Sequence, residues 1–357
     1  MNKIDIMDSG HISRDDAAFP TLVKIDNDEL ICGYTAKGKG PDALGGTDWS
    51  RSVDGGATWI HEGTLLPRTG NPVSVNSLRL SQVSGGTILA YGGRDYLEGD
   101  GESRSFGKDL KNEPVFCSSV DLGKTWSEAS VIPADLSLKF EISNPIVDAG
   151  NGTWLAPAAT LPDSQRLGER VVVFRSADRG RTWPDYSTVF YDNEKKKGFF
   201  EQKIISLGSG RLLAVAWTVT LEDYGDLENH FSLSDDYGRT WSAAIPTGIK
   251  GQTLSPLYLG GERLLLLSNR RYGNQGVVCY FAHFNRDEWR IDGESLLWDA
   301  HGNRDTESED KSGIEAFDDF AFGLPSAIQL GDNLYYSVHW CKEDGIFGIR
   351  WTKFREV

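Results

Sequence analysis

Two glutamates in matching settings are the first residues of chemical interest. Phe140-Glu141 and Phe200-Glu201 each open a stretch of strand-like text. Carboxyl groups that meet at one place can divide the work of general acid, base or nucleophile. Two other runs end in groups suited to holding an anion, Arg94-Asp95-Tyr96 and Asn269-Arg270-Arg271-Tyr272. The guanidinium fork matches a carboxylate in bidentate fashion, although the abundant acids of this chain offer ordinary salt-bridge partners too. His230 adds a group that exchanges protons near neutral pH, with a satisfied structural histidine as the plainer reading. Trp217 offers a ring face on which a sugar can stack, with core packing as the equal alternative. No HExxH, EF-hand or paired-cysteine spacing is present, so no metal and no cofactor is expected.

Composition narrows the partners. The chain of 357 residues carries 52 acidic against 37 basic side chains, a net charge of −15. It shows no basic stripe, which argues against nucleic acid, and its one basic run, Lys195-Lys196-Lys197, reads as a solvated loop. No apolar run approaches the roughly 18 residues of a membrane span, and Met1–Asp8 lacks the apolar core of a secretory signal. Cys32, Cys117, Cys279 and Cys341 are scattered and read as buried thiols. A reduced, cytoplasmic location is expected.

The elements that must position these groups announce themselves as repeats. An octet Ser-x-Asp-x-Gly-x-Thr-Trp occurs at 52–59, 119–126, 176–183 and 234–241, and Phe284–Trp289 resembles a worn fifth copy. Each octet has the chemistry of a hairpin turn. The Asp carboxylate accepts from the turn's own N–H groups, Gly takes a conformation that a Cβ would forbid, and Trp packs back as an apolar plug. These aspartates are therefore read as structural. Around the octets, strand and turn text dominates and helical periodicity is almost absent. In 199–247 the expected strands are Gln202–Leu207, Arg211–Thr218, Asn229–Leu233 and one beginning at Ser242–Ile245. Such four-stranded units start near residues 17, 76, 141, 199, 252 and 319. The pattern predicts an all-β, six-bladed β-propeller over 1–357 as a single domain, with Lys3–Met7 closing the last blade.

The octets are similar to the Asp boxes, or BNR repeats, of the sialidase-like superfamily, and the resemblance covers essentially the whole chain. It implies a pocket at one mouth of the central tunnel. Sialidases open the first blade with Phe-Arg-Ile-Pro, where this chain reads Ala17-Ala18-Phe19-Pro20 and Ala18 stands at the arginine position. Glu201 matches the glutamate that sialidases keep on an inner strand. The next strand ends Val215-Ala216-Trp217 rather than Asn-Ala-Arg, and Asn229-His230 falls where another arginine is due. Arg270 or Arg271 fills at most one place of the arginine triad. Leu324-Pro325-Ser326-Ala327 replaces the stretch that opens with the catalytic tyrosine. Asp42 and Asp48 lie on and beside the loop that carries the acid/base aspartate in sialidases.

The resemblance implies a glycoside hydrolase-like enzyme that cleaves a terminal bond of a small, anionic glycan and is not a standard sialidase. The candidate catalytic residues are Glu201, Glu141, Asp48, Asp42 and His230. The candidate binding residues are Arg94, Asp95, Tyr96, Arg270, Arg271, Tyr272 and Trp217. A lyase using His and Tyr as acid and base, and a non-catalytic carbohydrate-binding propeller, are the rival expectations on the same scaffold.

Overall fold

Alternating apolar text punctuated by glycine turns folds into 25 strands, with no helix among the described residues. The computed structural model describes residues 3–37, 45–69, 72–96, 111–134, 138–286, 288–301 and 320–357. Strand β1 (Ile4–Ser13) opens the chain and is set aside for the last blade. Blade 1 is β2 (Ala17–Lys24), β3 (Leu30–Ala36), β4 (Thr47–Ser52) and β5 (Ile60–Leu66). Blade 2 is β6 (Ser74–Gln82), β7 (Ile88–Tyr96), β8 (Asn112–Ser119) and the short β9 (Ser130–Val131). Blade 3 has its inner strand split into β10 (Lys139–Glu141) and β11 (Val147–Gly150), followed by β12 (Thr153–Leu161), β13 (Arg170–Ser176) and β14 (Asp185–Tyr191). Blade 4 is β15 (Lys197–Gly208), β16 (Arg211–Thr220), β17 (Glu228–Ser234) and β18 (Ile245–Lys250). Blade 5 is β19 (Leu254–Gly260), β20 (Arg263–Arg270), β21 (Gly276–Phe284) and β22 (Trp289–Asp299). Blade 6 is β23 (Phe322–Gly331), β24 (Leu334–Glu343) and β25 (Ile346–Glu356), with β1 pairing antiparallel on β25 as its outer strand.

The six sheets make the expected six-bladed β-propeller, closed by the N-terminal strand. The outer strand of blade 4 starts at Ile245 rather than at Ser242. Ser242 still belongs to the turn, where its N–H donates to Leu233 O at 2.8 Å and its hydroxyl oxygen accepts from Leu233 N at 3.0 Å. The core is divided into sectors between neighbouring blades, each filled by the inner and middle strands of both.

The octets join these sectors. In the first copy Asp54 accepts from Thr58 N at 2.9 Å and from Ser52 Oγ at 2.7 Å, while Ser52 Oγ accepts from Gly56 N at 2.9 Å. The other three copies repeat these bonds. Every octet tryptophan then packs against the preceding blade: Trp59 against blade 6, Trp126 against blade 1, Trp183 against blade 2 and Trp241 against blade 3. Trp289 of the worn copy does the same against blade 4, its turn held by Asn285 in place of an aspartate.

Candidate functional site

The inner strands converge on a central tunnel, and three of them kink at the same depth. Phe19 in β2, Glu201 in β15 and Leu324 in β23 have φ of 57°, 44° and 42°, each at a break in the pairing register. A non-glycine residue in this region costs on the order of 1–3 kcal/mol, and a bulge re-aims the side chains around it. Since the kink recurs in blades 1, 4 and 6, it belongs to the scaffold. What distinguishes blade 4 is that a carboxylate occupies it.

Blade 3 receives that kink. Its inner strand is broken between Glu141 and Val147, a stretch that contains Pro145, which has no N–H to give to a ladder. The gap lets blade 4 bond into it. Glu201 N donates to Glu141 Oε2 at 3.1 Å, Lys203 Nζ donates to Ser143 O at 2.5 Å, and Ile204 N donates to Asn144 Oδ1 at 3.3 Å. From blade 5, Gln252 Nε2 donates to Glu201 Oε1 at 2.9 Å, and Gln252 Oε1 accepts from Arg271 Nε at 3.1 Å. The Arg271 guanidinium lies 3.6 Å over the Phe320 ring and 4.7 Å over Phe322, and donates to Phe322 O. Arg79 from blade 2 stands 5.4 Å over Phe19 and donates to Ser77 Oγ at 2.8 Å.

Five ionisable groups from blades 2 to 5 thus ring the axis: Arg79, Glu141, Glu201, Lys203 and Arg271. All but the half-buried Glu141 are buried. Burial, reinforced by the Glu141 charge and opposed by Lys203 and Arg271, raises the Glu201 carboxyl to about 7. Burial also raises Glu141, against the pull of Lys203. It lowers Lys203 to about 8, Arg271 to about 9 and Arg79 to about 10. The set can therefore hold and exchange a proton near neutral pH between Glu201 and Lys203, while the two guanidiniums stay charged. Three cationic groups face two carboxyls, which favours a ligand bearing negative charge.

Of the residues expected from sequence, the structure brings together Glu201, Glu141 and Arg271. Tyr272 and Trp217 form an adjoining unit, both donating to Asp226, with Trp217 Nε1 at 2.6 Å from Asp226 Oδ1. Asp226 also acts on the charge of Arg271, which links this unit to the ring. The remaining candidates are engaged elsewhere. Arg94 and Tyr96 both donate to Glu113, at 2.8 and 3.0 Å, and Asp95 accepts from Asn112 Nδ2 at 2.6 Å. Arg270 turns outward to Glu294 at 2.5 Å. Asp48 accepts from His61 Nε2 at 3.0 Å and Thr64 Oγ1 at 2.6 Å, both on β5. His230 accepts at Nε2 from Lys197 Nζ at 3.1 Å and donates from Nδ1 to Glu228 O at 2.8 Å. Burial and then the Lys197 charge lower its pKa. Asp42 lies outside the described residues.

Arg79, Lys203, Gln252 and Asp226 were not anticipated. The signal for Arg79 was present, since a lone arginine between Leu78 and Leu80 on an inner strand has only the axis to face. Lys203 follows Glu201 by two residues, which puts the two on one side of a regular strand, but the register break between Phe200 and Lys203 removes that rule.

No protein-family model and no curated protein matches the sequence. Solved structures do resemble the fold. A protein of unknown function from Dyadobacter fermentans superposes with a TM-score of 0.79 at 20% identity, with 100% of both chains covered. The Hadza microbial sialidase gives 0.65 at 16% identity over 96% of this chain and 66% of that one. The Trypanosoma rangeli sialidase in complex with the inhibitor DANA gives 0.61 at 14% identity over 94% of this chain and 54% of its own, so this chain spans about half of that enzyme. The Penicillium chrysogenum alpha-L-arabinanase complexed with arabinobiose gives 0.61 at 14% identity over 98% of each chain. The protein shares the six-bladed propeller of the two sialidases and the arabinanase.

Proposed function

We propose that the protein is a glycoside hydrolase-like enzyme that cleaves a terminal glycosidic bond of a small anionic glycan at this tunnel mouth. The observation that carries the reading is the Glu141 carboxylate held on the Glu201 backbone N–H, with both carboxyls acting on the same cations, Lys203 and Arg79. Glycosidases use two carboxyl groups, one of them raised so that it still carries a proton at working pH. Glu201 is the acid in this reading. Its raised carboxyl protonates the leaving oxygen, and Gln252 fixes the direction of that carboxyl. Glu141 is the ionised partner that supports the developing positive charge on the sugar ring or activates the attacking group. Arg271, stacked on two phenyl rings, is pre-oriented to hold an anionic substituent.

The test is Glu201→Gln, which keeps the shape and removes the ionisable proton. Turnover on a panel of neutral and acidic aryl glycosides should fall about 10²–10⁴-fold, with the melting temperature barely moved at about pH 4.5, where the native carboxyl is protonated. An active but destabilised variant would make Glu201 a tunnel-ordering residue and sink the assignment. An unsaturated, ultraviolet-absorbing product would point to elimination instead of hydrolysis.

A further inference from the structure

We propose that Gln252 is a positioning residue that assigns the transferable proton to one oxygen, Oε2, of Glu201. The inference rests on the reading of Glu201 as the acid. Gln252 lies in the connection between β18 and β19 and is 4% exposed. The backbone just before it is fixed, because the fully buried Asn229 donates from Nδ2 to Ile249 O at 2.9 Å and to Gly251 O at 2.8 Å.

The amide of Gln252 has one orientation that both its neighbours accept. A guanidinium offers donors and no acceptor, so the group that meets Arg271 Nε at 3.1 Å must be the amide oxygen. Arg271 is itself held over the Phe320 and Phe322 rings and by its bond to Phe322 O. The amide nitrogen is thereby turned to Glu201, where Nε2 donates to Oε1 at 2.9 Å. A flipped amide would set its NH₂ against the Arg271 N–H and its oxygen against the carboxylate, two repulsive contacts in a buried place. Because Oε1 accepts that N–H, the neutral carboxyl carries its proton on Oε2. When a glycosidic C–O bond breaks, its electron pair stays on the leaving oxygen, which takes the Oε2 proton, and water completes the hydrolysis. The carboxylate left behind keeps the Gln252 N–H. Burial and the Glu141 charge raise the Glu201 carboxyl to about 7, while Lys203, Arg271 and the Gln252 bond favour its ionised form. Gln252 thus also limits how far the acid is raised.

Gln252→Met keeps the length of the side chain and removes the donor. The alkaline limb of kcat should move up by about one pH unit, and kcat on its plateau should fall at least about tenfold with KM nearly unchanged. The shift of the limb has a counterpart that needs no turnover. In protein labelled with ¹³C at the glutamate carboxyl, the Glu201 resonance is the one lost in Glu201→Gln. It should titrate near pH 7, and about one unit higher in Gln252→Met. Gln252→Glu keeps an acceptor for Arg271 and serves if the methionine variant does not fold. Its carboxylate would draw the Glu201 proton onto Oε1, so Glu201 should titrate higher while kcat falls about tenfold or more even below pH 7. An unmoved Glu201 titration in the variant that folds would overturn the inference. A raised KM with unchanged kcat would overturn it too, by making Gln252 a substrate contact. A titration shift in a protein that turns over no glycoside would sink the acid reading alone, because Gln252 would still place the Glu201 proton.

Discussion

At the scale of the residue, Glu201 is governed by whether it carries its proton. The fold favours the neutral carboxyl, raised from 4.5 to about 7 first by burial and then by Glu141. The stability this contributes is full below about 4.5 and is lost as pH rises through about 7. Melting temperature measured from pH 4.5 to 8 should therefore show a downward component that Glu201→Gln removes. A matching slope in the variant would show that other groups produce it. If Glu201 is the acid, kcat falls above about pH 7 as its proton is lost. A second expectation concerns substrate choice. Ala18 and Leu324 are buried apolar side chains at positions where the sialidase resemblance asks for Arg and Tyr. Trp217 donates to Asp226, and Asn229 holds Ile249 O and Gly251 O. Each missing charge-assisted contact to a carboxylate costs about 1.5–3 kcal/mol, so hydrolysis of sialyl-lactose should be negligible. Robust release of sialic acid would mean that another set of residues does the work.

At the scale of the element, the octets were the most legible part of the sequence, because their hydrogen bonds are local. A carboxylate, a hydroxyl and a glycine within eight residues determine the turn before any long-range contact forms. What the octets do not state is where their tryptophans go, which depends on the neighbouring blade. The candidate site shows the same divide. Glu141 and Glu201 could be found because both follow Phe in strand-like text, although β10 ends at Glu141 and Glu201 lies inside β15. Lys203 could not be assigned, because alternation places residues 201 and 203 only along a regular strand, and β15 is kinked between them. Asp48 and Arg94 were plausible by position yet found nearer partners in β5 and β8, since sequence gives the end of a strand but not the rotamer. The tryptophan contacts carry a test of their own. Trp183 is 8% exposed and meets Phe116 of blade 2 edge-on with ring centres 6.0 Å apart. Trp183→Ala should cost about 3–5 kcal/mol in urea unfolding. A loss below about 1 kcal/mol would mean that the octets shape turns without joining blades.

At the scale of the whole molecule, the ring is closed by β1, and the quality of that closure sets how the propeller fails. β1 pairs with β25 from Ile4 opposite Glu356 to Ser13 opposite Ile349. Most of its side chains are exposed or half-buried, and Ile4 alone is buried, in the sector between blades 5 and 6. Val357 N donates to Lys3 O at 3.1 Å, and Lys3 N donates to Ser295 Oγ at 2.8 Å, tying the strand back to blade 5. The closure is thus mainly a backbone ladder with one buried apolar anchor, Ile4, and the half-buried Ile12 against the sector between blades 6 and 1, and removing it would uncover the long edge of β25. An uncovered edge is a template for pairing with another chain. Deleting residues 1–13 should lower Tm by at least about 5 °C and make the protein self-associate through that edge. A synthetic peptide of residues 3–13, added in excess, should reverse the self-association and restore most of the lost Tm. The same peptide with Ile4→Asp should restore less, because a carboxylate would have to enter the apolar sector that Ile4 fills. Light scattering and thermal unfolding read both effects. A truncated protein that kept the intact protein's size in solution and an unchanged Tm would show that blade 6 is stable on three strands and that the N-terminal strand merely decorates the ring.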